Sequence, residues 1–128
     1  MVLEFFKKDG RGFIPKASLR IGGQIGFNQG AVIEYKLDSY TYAVLYYDEE
    51  DKKIGFELIN DENAEGANKL VVRKNAGISM SALPFLRMSK IDFSETRQYG
   101  LSYDKEHKLY VIDLNNPITK GKDTKQPG

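Results

Sequence analysis

The chain has 128 residues, a single-domain length that can bury roughly two-thirds of its unfolded surface in one core. It has no Cys, one His, and 19 Lys plus Arg against 18 Asp plus Glu, which excludes disulfides, thiolate catalysis and Cys-based zinc or iron-sulfur sites. The opening MVLEFFKKDG lacks the basic-then-apolar layout of a leader, and no apolar run reaches the ~20 residues of a spanning helix, so the expectation is a soluble, cytoplasmic protein with no membrane partner.

Charge is balanced in total but not in place. Residues 1–20 carry net +3 and residues 115–128 net +2, leaving −4 on residues 21–114. Such an arrangement suits a polyanionic partner, because fields act locally even where the sum is near zero. It is equally what solubilising lysines on chain ends would give.

Residues 1–9 mix Leu3, Phe5 and Phe6 with charges and fit either an edge strand or a docking arm. Gly10-Arg11-Gly12 breaks the chain, and Phe13 to Arg20 runs extended, with Pro15 confining it to an edge or a strand start. Gly22-Gly23 supplies the positive φ of a tight turn, which predicts a hairpin into Ile25 to Phe27. Asn28 is a good N-cap for a two-turn helix over Gln29 to Tyr35, too short to stand without a sheet to pack on. Tyr40 to Tyr47 reads as a strand, Asp48 to Lys52 as a charged tip, and Ile54, Phe56 and Leu58 alternate as the return strand.

Asn60 to Asn68 has turn and charged residues and nothing to bury, so it reads as a linker. Lys69 to Lys74 and Ile78 to Met80 then flank the turn Asn75-Ala76-Gly77, and Ser81 is placed to cap a helix over Ala82 to Met88. Asp92 to Thr96 reads as a turn able to wind into one helical turn from Ser94. Gln98 to Tyr103 and Leu109 to Leu114 make a last hairpin with Asp104 to Lys108 at its tip, and the tail from Lys120 is expected to be disordered.

The chain also resembles itself. Shifted by 53, Arg20 falls on Arg73, Ile25 on Ile78 and Asn28 on Ser81; after one inserted residue Asp38 meets Asp92, and after two more Tyr47-Asp48 meets Tyr103-Asp104 and Leu58 meets Leu114. The expected fold is mainly β with two short helices, a small barrel or interlocked sheets built from two pseudo-symmetric βαββ-like repeats at about 18–58 and 71–114. Residues 1–119 would form the domain and 120–128 a flexible basic tail.

Catalytic chemistry finds little to stand on. His107 sits among charges at a hairpin tip, without a pocket or an orienting partner, and no enzyme is expected. Asp48-Glu49-Glu50-Asp51 lacks the alternating ligands and Gly of a calcium loop, so no metal or other cofactor is expected. The informative residues are the cations of the two opening strands, Arg11, Lys16 and Arg20 in one copy and Arg73 and Lys74 in the other. Arginines of this kind contact phosphates and reach guanine edges; solvent-facing arginines on edge strands also simply deter aggregation.

Gly10-Arg11-Gly12-Phe13-Ile14-Pro15-Lys16, continuing to Leu19-Arg20, resembles the G-R-x-x-I-P-K opening of the AbrB, MazE and MraZ group of swapped-hairpin barrels. The resemblance implies a tandem unit, DNA binding with transcription regulation, and Arg11, Lys16 and Arg20 as contacts. It covers about a dozen residues, and Gly22-Gly23 with a new short strand departs from it, since the family runs from I-P-K into a helix. The expected function is a nucleic-acid-binding regulatory protein, with DNA ahead of RNA and a homodimer as a candidate assembly. Two alternatives stand beside it: a protein-interaction module or inhibitory subunit, and a single-strand binder using Tyr40, Tyr42, Tyr46, Tyr47 or Tyr103 as stacking faces.

Overall fold

The computed structural model describes residues 14–73 and 77–118, and for Arg73 the backbone alone. Its elements are β1 (Lys16–Leu19), β2 (Gln24–Phe27), α1 (Gln29–Tyr35), a 3-10 turn (Leu37–Ser39), β3 (Tyr42–Asp48), β4 (Lys53–Ile59), β5 (Ala67–Lys69), β6 (Val71–Arg73), β7 (Gly77–Ser81), α2 (Leu83–Met88), β8 (Arg97–Asp104) and β9 (Leu109–Ile118). The nine strands form one antiparallel, nearly closed barrel-like sheet in the order β5-β3-β4-β9-β8-β1-β2-β7-β6.

Closure follows from one short segment. β5 pairs with β3 and β6 with β7, so the two edges of the sheet are neighbouring stretches of chain joined at Leu70. Leu70 is buried and its N–H donates to the Thr41 carbonyl at 2.8 Å, continuing the β3 ladder across the seam. The expected linker therefore ends in a strand: Asn68 Nδ2 donates to the carbonyls of Ala43 and Gly66, and only residues up to Gly66 are turns.

The order hairpin, helix, hairpin occurs twice, with the strand, turn and short strand expected ahead of each helix, one strand more than a βαββ unit has. Leu19 pairs with Ile25 and Ser18 with Gly26; 53 residues on, Val72 pairs with Ile78 and Val71 with Ser79. Tyr47 pairs with Ile54 and Asp48 with Lys53; 56 residues on, Tyr103 pairs with Tyr110 and Asp104 with Leu109. Beyond Gly100 the two hairpins differ, because β8 carries an irregularity between Tyr99 and Leu101.

β2 and β7 run antiparallel and each leads into a helix, so α1 and α2 sit at opposite mouths of the barrel. Asn28 caps α1 as expected, its Oδ1 accepting from Ala31 N–H at 2.9 Å, and Lys36 ends it in the left-handed region. α2 differs from expectation. Ser81 remains in β7, paired with Gln24, so Ala82 occupies the N-cap without a side-chain bond and Pro84 fills the first turn, where its missing N–H costs nothing. Asp92 to Thr96 forms no helical turn; the Asp92 carboxylate accepts from Ser94 N–H and Oγ and holds a bend instead.

The core follows the alternation of the strands. Ala17 and Leu19, Ile25 and Phe27, Ile54 and Phe56, and Leu101 and Ile112 point inward and are buried. Phe56 is the largest fully buried side chain, with its ring 5.2 Å from Phe27 and stacked 5.3 Å from Tyr110. Tyr35 from α1 packs edge-on against Tyr110 at 5.0 Å, and Phe85 from α2 edge-on against Tyr47 at 6.4 Å. Each helix thus stoppers one mouth with an aromatic contact. Among the described residues no helix is long and apolar enough to cross a membrane.

Candidate functional site

Of the five cations singled out in the sequence, Lys16 and Arg20 have described side chains. With Ala17 and Leu19 turned into the core, Lys16, Ser18 and Arg20 face outward along β1, about 13 Å from first to last at ~3.3 Å per residue. Arg20 lies flat, since a Cβ added to Gly26 would run into its guanidinium. The backbone of Arg73 ends β6 opposite Gly77, whereas Arg20 adjoins Gln24, which pairs with Ser81 at the other end of β7. Arg20 and Arg73 therefore stand at opposite corners of the four-stranded face β1-β2-β7-β6. Arg11 and Lys74 lie outside the described residues.

The floor of this face is made of small groups. One row crosses it through the pairs Gln98–Ser18, Ser18–Gly26, Gly26–Ser79 and Ser79–Val71, in which Gly26 and Ser79 are buried, Gly26 against the Arg20 guanidinium. The start of β1 is fixed by Asn28, whose Oδ1 accepts from Lys16 N–H at 3.0 Å while its Nδ2 donates to the Ile14 carbonyl at 2.8 Å. At the other end Ile21 N–H donates to Thr96 Oγ1 at 3.1 Å, beside a groove of ≈ 460 Å³ lined by Ser18, Glu95, Thr96, Arg97, Gln98 and Pro117.

Charge divides between the two halves of the barrel. The strands β1, β2, β6 and β7 contain no Asp or Glu, and among the described residues neither Lys16 nor Arg20 forms an ion pair. Residues 42–59 on the opposite half carry Asp48, Glu49, Glu50, Asp51 and Glu57 against Lys52 and Lys53. Between them Arg97 is held at 3.6 Å from Asp92 and 3.7 Å from Glu95. Those carboxylates, Glu95 foremost, raise the Arg97 pKa, and the hydrogen bonds from Ser94 lower that of Asp92, so both stay charged.

His107 has the partner that spacing did not reveal. Its Nδ1 lies 2.8 Å from Asp104 Oδ2, and that hydrogen bond raises the imidazole pKa while lowering the carboxyl. Asp104, Glu106 and His107 offer ligand atoms within 4.8 Å of one another, all at an exposed tip. Asp104 and His107 border a shallow cleft of ≈ 310 Å³ that Asp48, Asp51 and Gly55 also line. Of the tyrosines considered for stacking, Tyr46 and Tyr103 are 46% and 41% exposed, whereas Tyr47 is engaged with Phe85 and Tyr40 packs against the core.

Sequence reasoning missed the lysines of the left-handed positions. Among the described residues the non-glycine positive-φ positions are Lys36, Lys52, Lys90 and Lys108. Two follow the helices and two close the hairpin tips, and the equal spacing of Asp48 to Lys52 and Asp104 to Lys108 was the available signal.

Comparison with known proteins gives no match: no family description, no curated protein and no solved structure resembles this chain significantly.

Proposed function

We propose that the protein binds nucleic acid, with double-stranded DNA as the preferred form, through the outer face of β1-β2-β7-β6, and that it serves in regulation. The observation that carries this reading is the segregation of charge: a face whose strands hold Lys16 and no Asp or Glu, with Arg20 directly after β1, set against a half-barrel of residues 42–59 with net charge −3. Lys16, Ser18, Arg20 and Gln98 on this face are phosphate-contacting types. The reading includes a pseudo-two-fold relation between the units, supported by the matching hairpin registers, which sets Arg20 and Arg73 at equivalent corners and Lys74 next to Arg73. It also retains the AbrB-like resemblance, with Arg11 beside the same strand, and a homodimer as the way to extend the face along a duplex.

Fluorescence anisotropy with a labelled duplex from 50 to 200 mM salt tests it. Counterion release gives a log–log slope of about −0.9 per neutralised phosphate, so Lys16→Gln with Arg20→Gln should flatten the slope by roughly 1.8. Single-stranded DNA and RNA of the same sequence rank the other forms. Absence of binding at 50 mM salt, or an unchanged slope in the double variant, refutes the proposal.

One observation favours a protein partner instead. Ile14, Ile21 and Val71 border the same face at 59%, 65% and 44% exposure, an apolar fringe that a phosphate backbone does not use. Affinity capture that returns one stoichiometric protein and no nucleic acid supports that reading.

A further inference from the structure

The mouth stoppered by α2 contains a cavity of ≈ 260 Å³ lined by Tyr47, Lys52, Lys90, Asp92, Arg97 and Tyr99, with Ile91 and Leu114 behind them. The cations come from three separate parts of the chain: the first hairpin tip, the turn after α2 and the start of β8. Arg97 is tied to Asp92 and Glu95, but among the described residues Lys52 and Lys90 pair with no carboxylate. Tyr99 is 4% exposed and lines the cavity beside Arg97, so its hydroxyl belongs to one wall.

Lys52 and Lys90 have φ of 55° and 56°, where Gly or Asn would sit with less strain. The cavity's one carboxylate, Asp92, is engaged by Arg97, which leaves the two ammonium groups for a bound anion; a guanidinium and a tyrosine hydroxyl complete a donor set for a tetrahedral oxyanion.

We propose that this mouth is a phosphate-binding pocket in which Lys52, Lys90 and Arg97 hold the oxyanion. The chemistry is that of a phosphate mono- or diester, whose source is either a small phosphorylated molecule or the backbone of a bound nucleic acid. Leu19 pairs with Arg97, so the pocket lies at the Arg20 end of β1. The pocket stands without the nucleic-acid reading, because a free phosphate ester satisfies the same donors.

The test is an amide-resolved NMR titration of the full chain with inorganic phosphate at constant ionic strength, with chloride as the reference. Saturable shifts are expected at Lys52, Lys90, Arg97 and Tyr99. Lys52→Asn combined with Lys90→Asn removes both charges while suiting the left-handed backbone, so it should stay folded and bind phosphate at least tenfold more weakly. Lys36→Asn with Lys108→Asn at the other mouth is the control. At the 56-residue offset that aligns the two hairpin tips, Arg97 falls on Thr41, so the control pair lacks the third cation and its loss should leave the response intact.

The proposal is overturned if phosphate and chloride act alike, if Lys52→Asn/Lys90→Asn binds phosphate as the wild type does, or if the control pair abolishes binding. Titrating a DNA duplex against the same variants separates the sources. Loss of both phosphate and DNA in Lys52→Asn/Lys90→Asn assigns the site to a nucleic-acid backbone, and loss of phosphate alone assigns it to a small phosphate ester. Failure of the Lys16→Gln/Arg20→Gln experiment leaves this result untouched.

Discussion

Asn28 and Ser81 hold matching positions in the two halves of the chain, yet the structure gives them different work, and removing each side chain makes that difference measurable. Asn28 Oδ1 accepts from Ala31 N–H at 2.9 Å and from Lys16 N–H at 3.0 Å, and its Nδ2 donates to the Ile14 carbonyl at 2.8 Å. Asn28→Ala loses a helix cap worth about 1 kcal/mol. It also leaves the part-buried Lys16 N–H without its side-chain acceptor, another ~1 kcal/mol, and frees an exposed carbonyl at a cost of about 0.5 kcal/mol. The expected loss is about 2.5 kcal/mol, or roughly 9 °C in Tm at ~2.1 cal/mol/K of unfolding entropy per residue. Ser81 makes no cap, is exposed and stays in its strand, so Ser81→Ala should change stability by no more than about 0.5 kcal/mol. Asn28→Asp keeps both acceptors, loses only the Nδ2 donor and should fall between. Urea unfolding of the three variants, compared at equal m-values, is the assay. Equal losses for Asn28→Ala and Ser81→Ala, or an Asn28→Asp as damaged as Asn28→Ala, would refute the claim that one side chain pins the start of β1 to α1.

Three further outcomes follow from packing and charge. Phe56→Ala empties a fully buried site between Phe27 and Tyr110 and should cost about 3–5 kcal/mol in chemical denaturation; a loss below about 1.5 kcal/mol would place the core elsewhere. Gly77→Ala should cost at least about 2 kcal/mol, because φ there is +82° and the new Cβ would strike the Phe27 carbonyl oxygen, whereas Gly100→Ala meets nothing and should be nearly silent in the same experiment. The His107 imidazole, raised by its bond to Asp104 and by the Glu106 charge, should titrate in NMR above the unfolded value, and Asp104→Asn should lower it toward that value. A raised folded-state pKa stabilises below the unfolded pKa and fades as pH climbs through the folded one. The lowered Asp104 works above its own unfolded pKa, so the pair strengthens the tip between about pH 4 and 6.5. An identical His107 midpoint in Asp104→Asn contradicts the pairing.

Local rules were legible wherever the chain decided locally. The alternation Ile54, Gly55, Phe56 fixed which face of β4 is buried, Gly23 supplied the left-handed turn at φ +90°, and Asn28 announced its helix. Where pairing with a distant segment decides, sequence falls short. Ala67–Lys69 has too few residues for a period and becomes a strand only because β3 offers an open ladder. Ser81 looked like a cap by composition, but its bond to Gln24 holds it in the sheet. The candidate interface was half legible: spacing gave Lys16 and Arg20 one side of β1, whereas the absence of carboxylates on β2 and β7 gained meaning only once those strands were neighbours. The mouth lysines were hidden because a positive φ at Lys runs against its preferences.

The way the sheet closes ties these observations together. In an open sheet β5 and β6 would be distant edges, each a ladder free to recruit another chain. Here they are consecutive, three residues each, with Leu70 buried at the crossing and its N–H bonded to Thr41. That leaves little edge for strand addition, so a partner has to be met by faces or by mouths rather than by extending the sheet. Faces carry the separated charge, and each mouth carries a helix, an aromatic contact and a lysine turn. Substituting Leu70 with Asp would put an unpaired charge at the crossing and break closure at its one buried link. The freed edges would then pair, so loss of the barrel should show as association into larger species rather than as a looser monomer.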